Sequence, residues 1–226
     1  MNFIRGVWLL FSQKRLRKVF IFVPMVGIIN YGMGNLHSIQ RKMQLLNAEF
    51  KIIEHSEDIP NCDQLILPGV GHFGKAMQKL EEKSLIHALH KFVKNEQKPI
   101  LGICLGMQLM TSFSEEGNTE GLGWVNTKIV RFNPTNFSTV KVPHIGWNSV
   151  VSENSKLLDN LEKEFYFVHS YYSEIPKEKE VVLHFTTYER RFVSGFEKKN
   201  IFGVQYHPEK SHDQGLEVLR NFLELT

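Results

Sequence analysis

The stretch LGICLGMQ, residues 101–108, places a cysteine between two glycines where an apolar run changes into a helical pattern. The run KPILGIC (98–104) is typical of a buried strand, and the residues after Cys104 follow helical spacing. A strand, a sharp turn and a helix in this order are typical of an α/β protein. Cys104 is therefore either a buried thiol that fills core space or a nucleophile presented on the turn.

The N-terminal half of the chain alternates strand and helix patterns. Apolar strand-like runs begin at VGIIN (26–30), FKIIEH (50–55) and CDQLILPGVGHFG (62–74). Helical patterns cover 35–49 and 75–96, with a break near Ser84, and another helix is predicted from Cys104 through about Phe113. Continuous apolar strands that alternate with helices predict a mainly parallel sheet that is covered by helices on both faces.

After residue 121 the pattern changes to aromatic and β-branched runs at hairpin-like spacing, which predicts antiparallel strands. These runs are GWVNTKIVRF (123–132), FYFVHSYY (165–172), VVLHFTTY (181–188), RFVSGFE (191–197) and IFGVQYHP (201–208). The end, DQGLEVLRNFLELT (213–226), has the spacing of an amphipathic helix. We therefore expect one α/β domain over 25–226, with antiparallel strands added to a parallel sheet in its C-terminal half.

The charge of the chain is unevenly distributed. Of the 226 residues, the first 24 contain five basic and no acidic residues, so the net charge of +3 leaves −2 for the remainder. A slightly acidic domain offers no electrostatic surface for nucleic acid.

Two cysteines form neither a disulfide framework nor a zinc motif, and they suit the reducing cytoplasm. We expect no metal and no cofactor.

Residues 1–24 differ from the rest as a basic N-terminal extension. Their apolar runs are too short to cross a bilayer, and the basic run QKRLRK separates them. A basic amphipathic helix on a membrane surface and a transit peptide remain alternatives. We favour a translation start at Met25, directly before the first strand, and expect no membrane association.

Glycines at positions −2 and +2 around Cys104 match the strand–turn–helix elbow that presents a nucleophile. We expect a side chain at Gly102 or Gly106 to collide with neighbouring backbone. The free N–H groups at the start of the following helix would favour a thiolate, and the N–H of Leu105 would face an oxyanion.

A cysteine nucleophile needs a base, and His207 is the best candidate among ten histidines. Its strand stops at Pro208, and Glu209 lies two positions on, so that both side chains point to the same side of an extended chain. A carboxylate there would fix the tautomer of the imidazole. Other histidines, His184 and His212 among them, show no partner pattern.

The combination of GICLGMQ (102–108) with GVQYHPEKS (203–211) resembles the class I, or triad, glutamine amidotransferases. The resemblance covers 25–226 and implies a flavodoxin-like α/β fold. It also implies hydrolysis of glutamine by a triad of Cys104, His207 and Glu209. The implied oxyanion site is Leu105 together with Gly69, Val70 and Gly71 of the PGVG loop.

Glutamine has to be held by its α-amino and α-carboxylate groups. Gln108 lies one helical turn after Cys104 and so faces the same pocket. By resemblance Glu116, which we place near the end of that helix, binds the ammonium group, with the adjacent Glu115 as the alternative register. His169, Ser170 and Tyr171 match the segment that lines the glutamine pocket in the family, or they pack at a strand end.

Finer motifs narrow the resemblance to the glutaminase subunits of imidazole glycerol phosphate synthase. These motifs are YGMGNLHS (31–38), LPGVGHFG (67–74), Met107, PHIGWN (143–148) and YFVHSY (166–171). The resemblance implies a (β/α)8 cyclase partner that receives the ammonia and forms imidazole glycerol phosphate and an aminoimidazole carboxamide ribonucleotide for histidine synthesis.

By the same resemblance, Asn35, Trp147 and Lys210 would contact the cyclase. The alternative for Trp147 is core packing. An alternative function is a paralogous glutaminase that supplies ammonia to a barrel partner for amidation of surface sugars. A scaffold that only binds its partner is disfavoured, because such a module has no need for a triad.

Overall fold

The computed structural model describes residues 23–133, 141–159 and 162–225. Residues 1–22, most of the expected N-terminal extension, lie outside this range. The helices and strands described are β1 (Val26–Ile29), α1 (Leu36–Leu45), β2 (Phe50–Ile53), β3 (Gln64–Gly69), α2 (Phe73–Glu82), α3 (Leu85–His90), β4 (Ile100–Cys104), α4 (Leu105–Leu109), β5 (Thr111–Ser114), β6 (Thr119–Glu120), β7 (Val125–Arg131), β8 (His144–Ser152), β9 (Lys163–His169), β10 (Tyr171–Ser173), β11 (Val182–Tyr188), β12 (Arg190–Lys198), β13 (Ile201–Val204) and α5 (His212–Leu223).

The centre of the molecule is a parallel sheet of five strands in the order β2–β1–β3–β4–β13. From β13 the sheet continues through the antiparallel strands β12, β10 and β7, and β5 lies parallel to β7. A layer formed by β8, β9 and β11 pairs with β12 through β11. This is the predicted α/β fold, with a mainly parallel central sheet and antiparallel strands added in the C-terminal half.

Helices cover both faces of the parallel sheet, which explains why β1, β4 and β13 are apolar throughout. On one face, α2 and α3 contribute buried residues such as Phe73, Leu80 and Leu89 to the core. On the other face, α1 and α5 contribute residues such as Met43 and Phe222. The parallel strands thus have two cores, and their carboxyl ends meet at one edge of the sheet.

The structure tests two helix boundaries that were predicted from the sequence. The break near Ser84 is confirmed, because Ser84 has a left-handed φ of 53° between α2 and α3. The helix predicted through Phe113 is wrong, since α4 ends at Leu109 and Thr111–Ser114 forms a strand beside β7. The β-branched and aromatic side chains of TSF (111–113) favour a β-strand over a continued helix.

No helix in the described ranges is long and apolar enough to cross a membrane.

Candidate active site

Cys104 sits on a sharp turn between β4 and α4. Its backbone is strained, with φ 54° and ψ −111°. A Cβ on Gly106 would lie 1.8 Å from the carbonyl oxygen of Leu67, and one on Gly102 would lie 2.7 Å from the nitrogen of Met107. The expected collisions are therefore confirmed, and the G-x-C-x-G spacing follows from the close packing of this turn.

His207 and Glu209 form a buried pair just beyond β13. Nδ1 of His207 lies 2.7 Å from Oε1 of Glu209, and both side chains are almost fully buried. Because that nitrogen donates to the carboxylate, Nε2 is left for the cavity, and it has no hydrogen-bond partner in the described ranges. Burial alone would lower the pKa of His207, but the neighbouring Cys104 sulfur and the Glu209 carboxylate outweigh burial and raise it to about 10.

Cys104 and His207 open into one cavity of about 270 Å³ at the carboxyl edge of the parallel strands. The residues that line it are Val70, Gly71, Cys104, Leu105, Gln108, Glu116, Pro143, Val168, His169, Ser170, Tyr171 and His207. Most of the predicted site residues are thus brought together. Glu209 lies behind His207 and outside the lining, as an orienting group should.

Glu116 and Gln108 line the cavity from different elements. Glu116 follows β5 and does not end a helix, which corrects the predicted placement, and its Oε2 accepts a hydrogen bond of 2.7 Å from the backbone N–H of Phe73. Glu115 turns away and accepts from the N–H of Arg131. Between these two registers, only Glu116 faces the cavity.

The segment His169–Tyr171 forms the wall opposite the elbow. Nδ1 of His169 donates to the carbonyl oxygen of Tyr171 at 2.7 Å, and its Nε2 lies 3.0 Å from Nδ1 of His144. Burial, with a further contribution from His144, lowers the pKa of His169 to about 3. A neutral His169 thus fixes the course of the backbone along the cavity wall.

The PGVG loop borders the sulfur. Gly69 ends β3 in register with Cys104, and Gly71 has a φ of 107°. Val70 is 40% exposed, which is unusual for valine beside a core strand. Leu105 begins α4 and lines the cavity, and the first N–H groups of a helix have no intrahelical partner.

The three residues predicted to contact a partner lie outside the cavity. Trp147 is 41% exposed and stacks on His212 with ring centroids 5.0 Å apart, so packing in the core is excluded. Lys210 is exposed, and its Nζ lies 5.6 Å from the centre of the Tyr166 ring. Asn35 accepts a hydrogen bond from the N–H of Ser38 and caps α1.

Sequence reasoning missed two buried polar side chains beside Cys104. Gln205 donates from Nε2 to the sulfur at 3.6 Å. Burial and the nearby Cys104 raise the pKa of Tyr31, whose hydroxyl has no partner among residues that the structure describes. The strand alternation that links His207 to Glu209 also places Gln205 on the same side, but alternation alone does not show that this side meets the sulfur. The described part of the chain contains no group of three or more potential metal ligands.

The chain is similar in sequence to subunits of imidazole glycerol phosphate synthase. The chain is 43% identical over 205 residues to imidazole glycerol phosphate synthase subunit HisH of Leptospira interrogans, covering 89% of this chain and 100% of the relative. It is 47% identical over 203 residues to subunit HisH 2 of that synthase from Methanococcus maripaludis, covering 88% and 99%.

Two solved structures share the fold. A glutamine amidotransferase crystal structure matches with a TM-score of 0.71 at 16% identity, covering 88% of this chain and 97% of that one. PurLQS from Thermotoga maritima matches with a TM-score of 0.69 at 16% identity, with the same coverage. The sequence profile described as glutamine amidotransferase class-I matches residues 27–225. The match over residues 27–225 and the identity to the HisH relatives, together with a cysteine elbow and a buried imidazole on one cavity, show that the chain belongs to the class-I glutamine amidotransferase family.

Proposed function

We propose that this chain is the glutaminase subunit of an imidazole glycerol phosphate synthase, acting through Cys104, His207 and Glu209. The observation that supports this chemistry is that the thiol of Cys104 and the imidazole of His207 line one cavity, and that Nδ1 of His207 is bonded to Glu209. The assignment to this synthase rests on the identity of 43–47% to subunits of that name along almost their whole length.

In the first half-reaction, the sulfur of Cys104 attacks the side-chain amide carbon of glutamine. The C–N bond breaks, and ammonia leaves after Nε2 of His207 has protonated it, which gives a thioester. The raised pKa of His207 suits this acid role, because the imidazole is protonated before the attack. Glu209 orients the ring and stabilises its positive charge.

In the second half-reaction, the same imidazole, now neutral, removes a proton from water. The hydroxide attacks the thioester carbon, the C–S bond breaks, and glutamate and the thiolate are released. Both tetrahedral intermediates carry an oxyanion, for which the N–H of Leu105 and a peptide N–H within Gly69–Gly71 are the proposed donors.

Substrate is held at the opposite side of the cavity. The carboxylate of Glu116 suits the α-ammonium group, and Gln108 with the wall at His169, Ser170 and Tyr171 positions the rest. Glu116 also accepts from the N–H of Phe73 at the start of α2, and this contact fixes the position of the carboxylate.

The proposed partner is a (β/α)8 cyclase that takes up the ammonia, which would otherwise protonate and diffuse away. Trp147 and Lys210 both lie against Tyr166, and together with Asn35 they form the proposed contact surface.

We propose that the isolated chain is a poor glutaminase, since glycines in the PGVG loop allow a peptide to turn its N–H away from the cavity. Equal turnover with and without the ligand-bound cyclase would contradict this. The cytoplasm, where a thiol stays reduced, is the proposed location.

The experiment is a glutaminase assay on the full chain with and without a candidate barrel subunit. Cys104→Ser is expected to lower glutamate formation by about 10³-fold or more. Cys62→Ser is the matched control, because Cys62 is also buried but lies outside the cavity, and it should keep its activity. A Cys104→Ser variant with undiminished activity would refute the proposed chemistry.

The choice of barrel subunit tests the pathway. Activation by the cyclase of histidine synthesis, with formation of imidazole glycerol phosphate, supports the proposal. Activation only by a paralogous barrel from a polysaccharide gene cluster would instead assign the chain to amidation of surface sugars. The triad chemistry is the same in both cases.

A further inference from the structure

Gln205 is a buried amide that the mechanism above does not use. It follows β13, two residues before His207, and its side chain is fully buried. Its Oε1 accepts a hydrogen bond of 2.8 Å from Nε2 of Gln108. Its Nε2 lies 3.6 Å from the sulfur of Cys104. The amide therefore connects a residue of the cavity wall to the thiol.

A backbone carbonyl fixes which end of this amide faces the sulfur. The carbonyl oxygen of Tyr171 can only accept, and Nε2 of Gln108 lies 3.2 Å from it. Gln108 must therefore present its NH₂ group to both Tyr171 and Gln205, so that Gln205 presents its oxygen to Gln108. Consequently the NH₂ group of Gln205 faces Cys104, and the opposite assignment of its amide oxygen and nitrogen is excluded.

The same carbonyl is held in place from the other side. Nδ1 of His169 also donates to it, at 2.7 Å, and His169 is itself bonded to His144. The orientation of the donor at the sulfur is thus set by a chain of bonded groups in the cavity wall.

A donor at this position acts differently on the two forms of the sulfur. A neutral thiol is a weak acceptor, whereas a thiolate carries a full charge and accepts a charge-assisted hydrogen bond. In a buried site such a bond is strengthened by the low dielectric. The imidazole of His207 faces the sulfur from the cavity, so the amide is a second group that favours the ionised form.

We propose that Gln205 is a further positioning residue of the glutaminase reaction, whose amide N–H holds the sulfur of Cys104 in its ionised, attacking form. The inference rests on the proposed function in taking Cys104 as the nucleophile. Gln108, which is bonded to both the Tyr171 carbonyl and Gln205, sets the orientation of the Gln205 amide.

The test is the rate of Cys104 alkylation by iodoacetamide as a function of pH, followed by mass spectrometry on the full chain. Gln205→Met, which keeps the length but removes the donor, should slow alkylation at neutral pH about tenfold. The difference from the wild type should shrink as the pH rises. Gln205→Glu, which keeps the bond to Gln108 and turns an acceptor to the sulfur, should slow it further.

Two controls separate this effect from general damage. Gln64→Met changes another buried amide, which donates to carbonyl groups at the C-terminal end of the chain, and it should leave the alkylation profile unchanged. Cys62 is an internal reference, because burial raises the pKa of its thiol to about 11. A folded Gln205→Met variant whose pH profile coincides with that of the wild type overturns the inference.

A measurement on the unmutated chain covers the case in which Gln205→Met does not fold. The side-chain NH₂ resonances of Gln205 should shift with pH, and this shift should be absent in Cys104→Ser. Resonances that titrate identically in Cys104→Ser also overturn the inference. Loss of glutaminase activity in Cys104→Ser, together with either of these outcomes, would refute the role of Gln205 and leave the proposed function standing.

Discussion

Two buried histidine–glutamate pairs in this molecule have similar hydrogen-bond lengths and opposite surroundings. His207 and Glu209 lie 2.7 Å apart at the cavity, and His184 and Glu197 lie 2.9 Å apart between β11 and β12. Nε2 of His207 and Oε2 of Glu209 have no partner within 23–133, 141–159 and 162–225. In contrast, both ring nitrogens of His184 are bonded.

The pair formed by His184 and Glu197 has a structural role. Nδ1 of His184 lies 3.3 Å from the hydroxyl of Tyr206, and Nε2 contacts both Glu197 and Ser155. Glu197 also accepts from the backbone N–H groups of residues 156 and 157, which fastens that loop to β12. A fully satisfied network rigidifies a core, whereas an unsatisfied atom at a cavity is free for chemistry.

The largest expected effect comes from replacing each histidine by glutamine. His207→Gln should lower the rate of glutamate formation by about 10⁴-fold, because the proton acceptor and donor is lost. His184→Gln should keep the rate within about twofold but lower the free energy of unfolding by about 2–3 kcal/mol, since it leaves Glu197 and Tyr206 poorly paired. Glutaminase assays and urea unfolding of both variants check this. If the two variants lose the same activity, the distinction between the pairs fails.

A smaller effect tests how closely Gly195 packs against the ring of His184. A Cβ on Gly195 would lie 2.5 Å from Nδ1 of His184 and 2.9 Å from the carbonyl oxygen of Gly203. Gly195→Ala should therefore destabilise the fold by about 2–3 kcal/mol through overpacking. Because one of the two clashes is with the ring, Gly195→Ala in a His184→Ala background should cost at least about 1 kcal/mol less. Strict additivity in this double-mutant cycle would show that the ring does not set the need for glycine.

The two pairs should also differ in their pH dependence. The pKa of His207 is raised, so its contribution to stability is complete below about 6.5 and is lost as the pH rises towards 10. The pKa of Glu197 is lowered: burial alone would raise it, but the hydrogen bond from His184 outweighs burial. Its contribution is therefore present above its ordinary value and is lost as the pH falls.

Thermal melts between pH 3 and pH 10 check these signs. His207→Gln should flatten the alkaline decline of the melting temperature, and Glu197→Gln should flatten the acid decline. A His207→Gln variant that retains the full alkaline decline would contradict the assigned direction.

The smallest effect concerns a third unpaired group, the hydroxyl of Tyr31. Burial, with a further contribution from Cys104, raises its pKa, and it has no partner in the described part of the chain. Removing an unsatisfied buried group relieves a desolvation cost, so Tyr31→Phe should stabilise the fold by about 1 kcal/mol. Urea unfolding measures the change. A loss of stability would instead indicate that the hydroxyl contributes a favourable contact.

Local patterns predicted the elbow and its neighbours correctly. Strand alternation placed His207 beside Glu209, and the G-x-C-x-G spacing matches a turn at which added Cβ atoms would collide. The helix after Cys104 was predicted too long, because the strand Thr111–Ser114 is completed by pairing with β7, and the pairing partner is not a local property of the sequence. His184 was dismissed for the same reason: its partner lies on another strand.

By itself, the sequence determined the alternation of strands and helices, the strained turn at Cys104 and the spacing of His207 and Glu209, because these follow from steric and periodic rules within a few residues. Only the tertiary structure decided that Gln205 faces the sulfur, that Glu116 rather than Glu115 lines the cavity, and that His184 meets Glu197. Those contacts join segments far apart along the chain, and their geometry depends on the register of the sheet and on close packing around it.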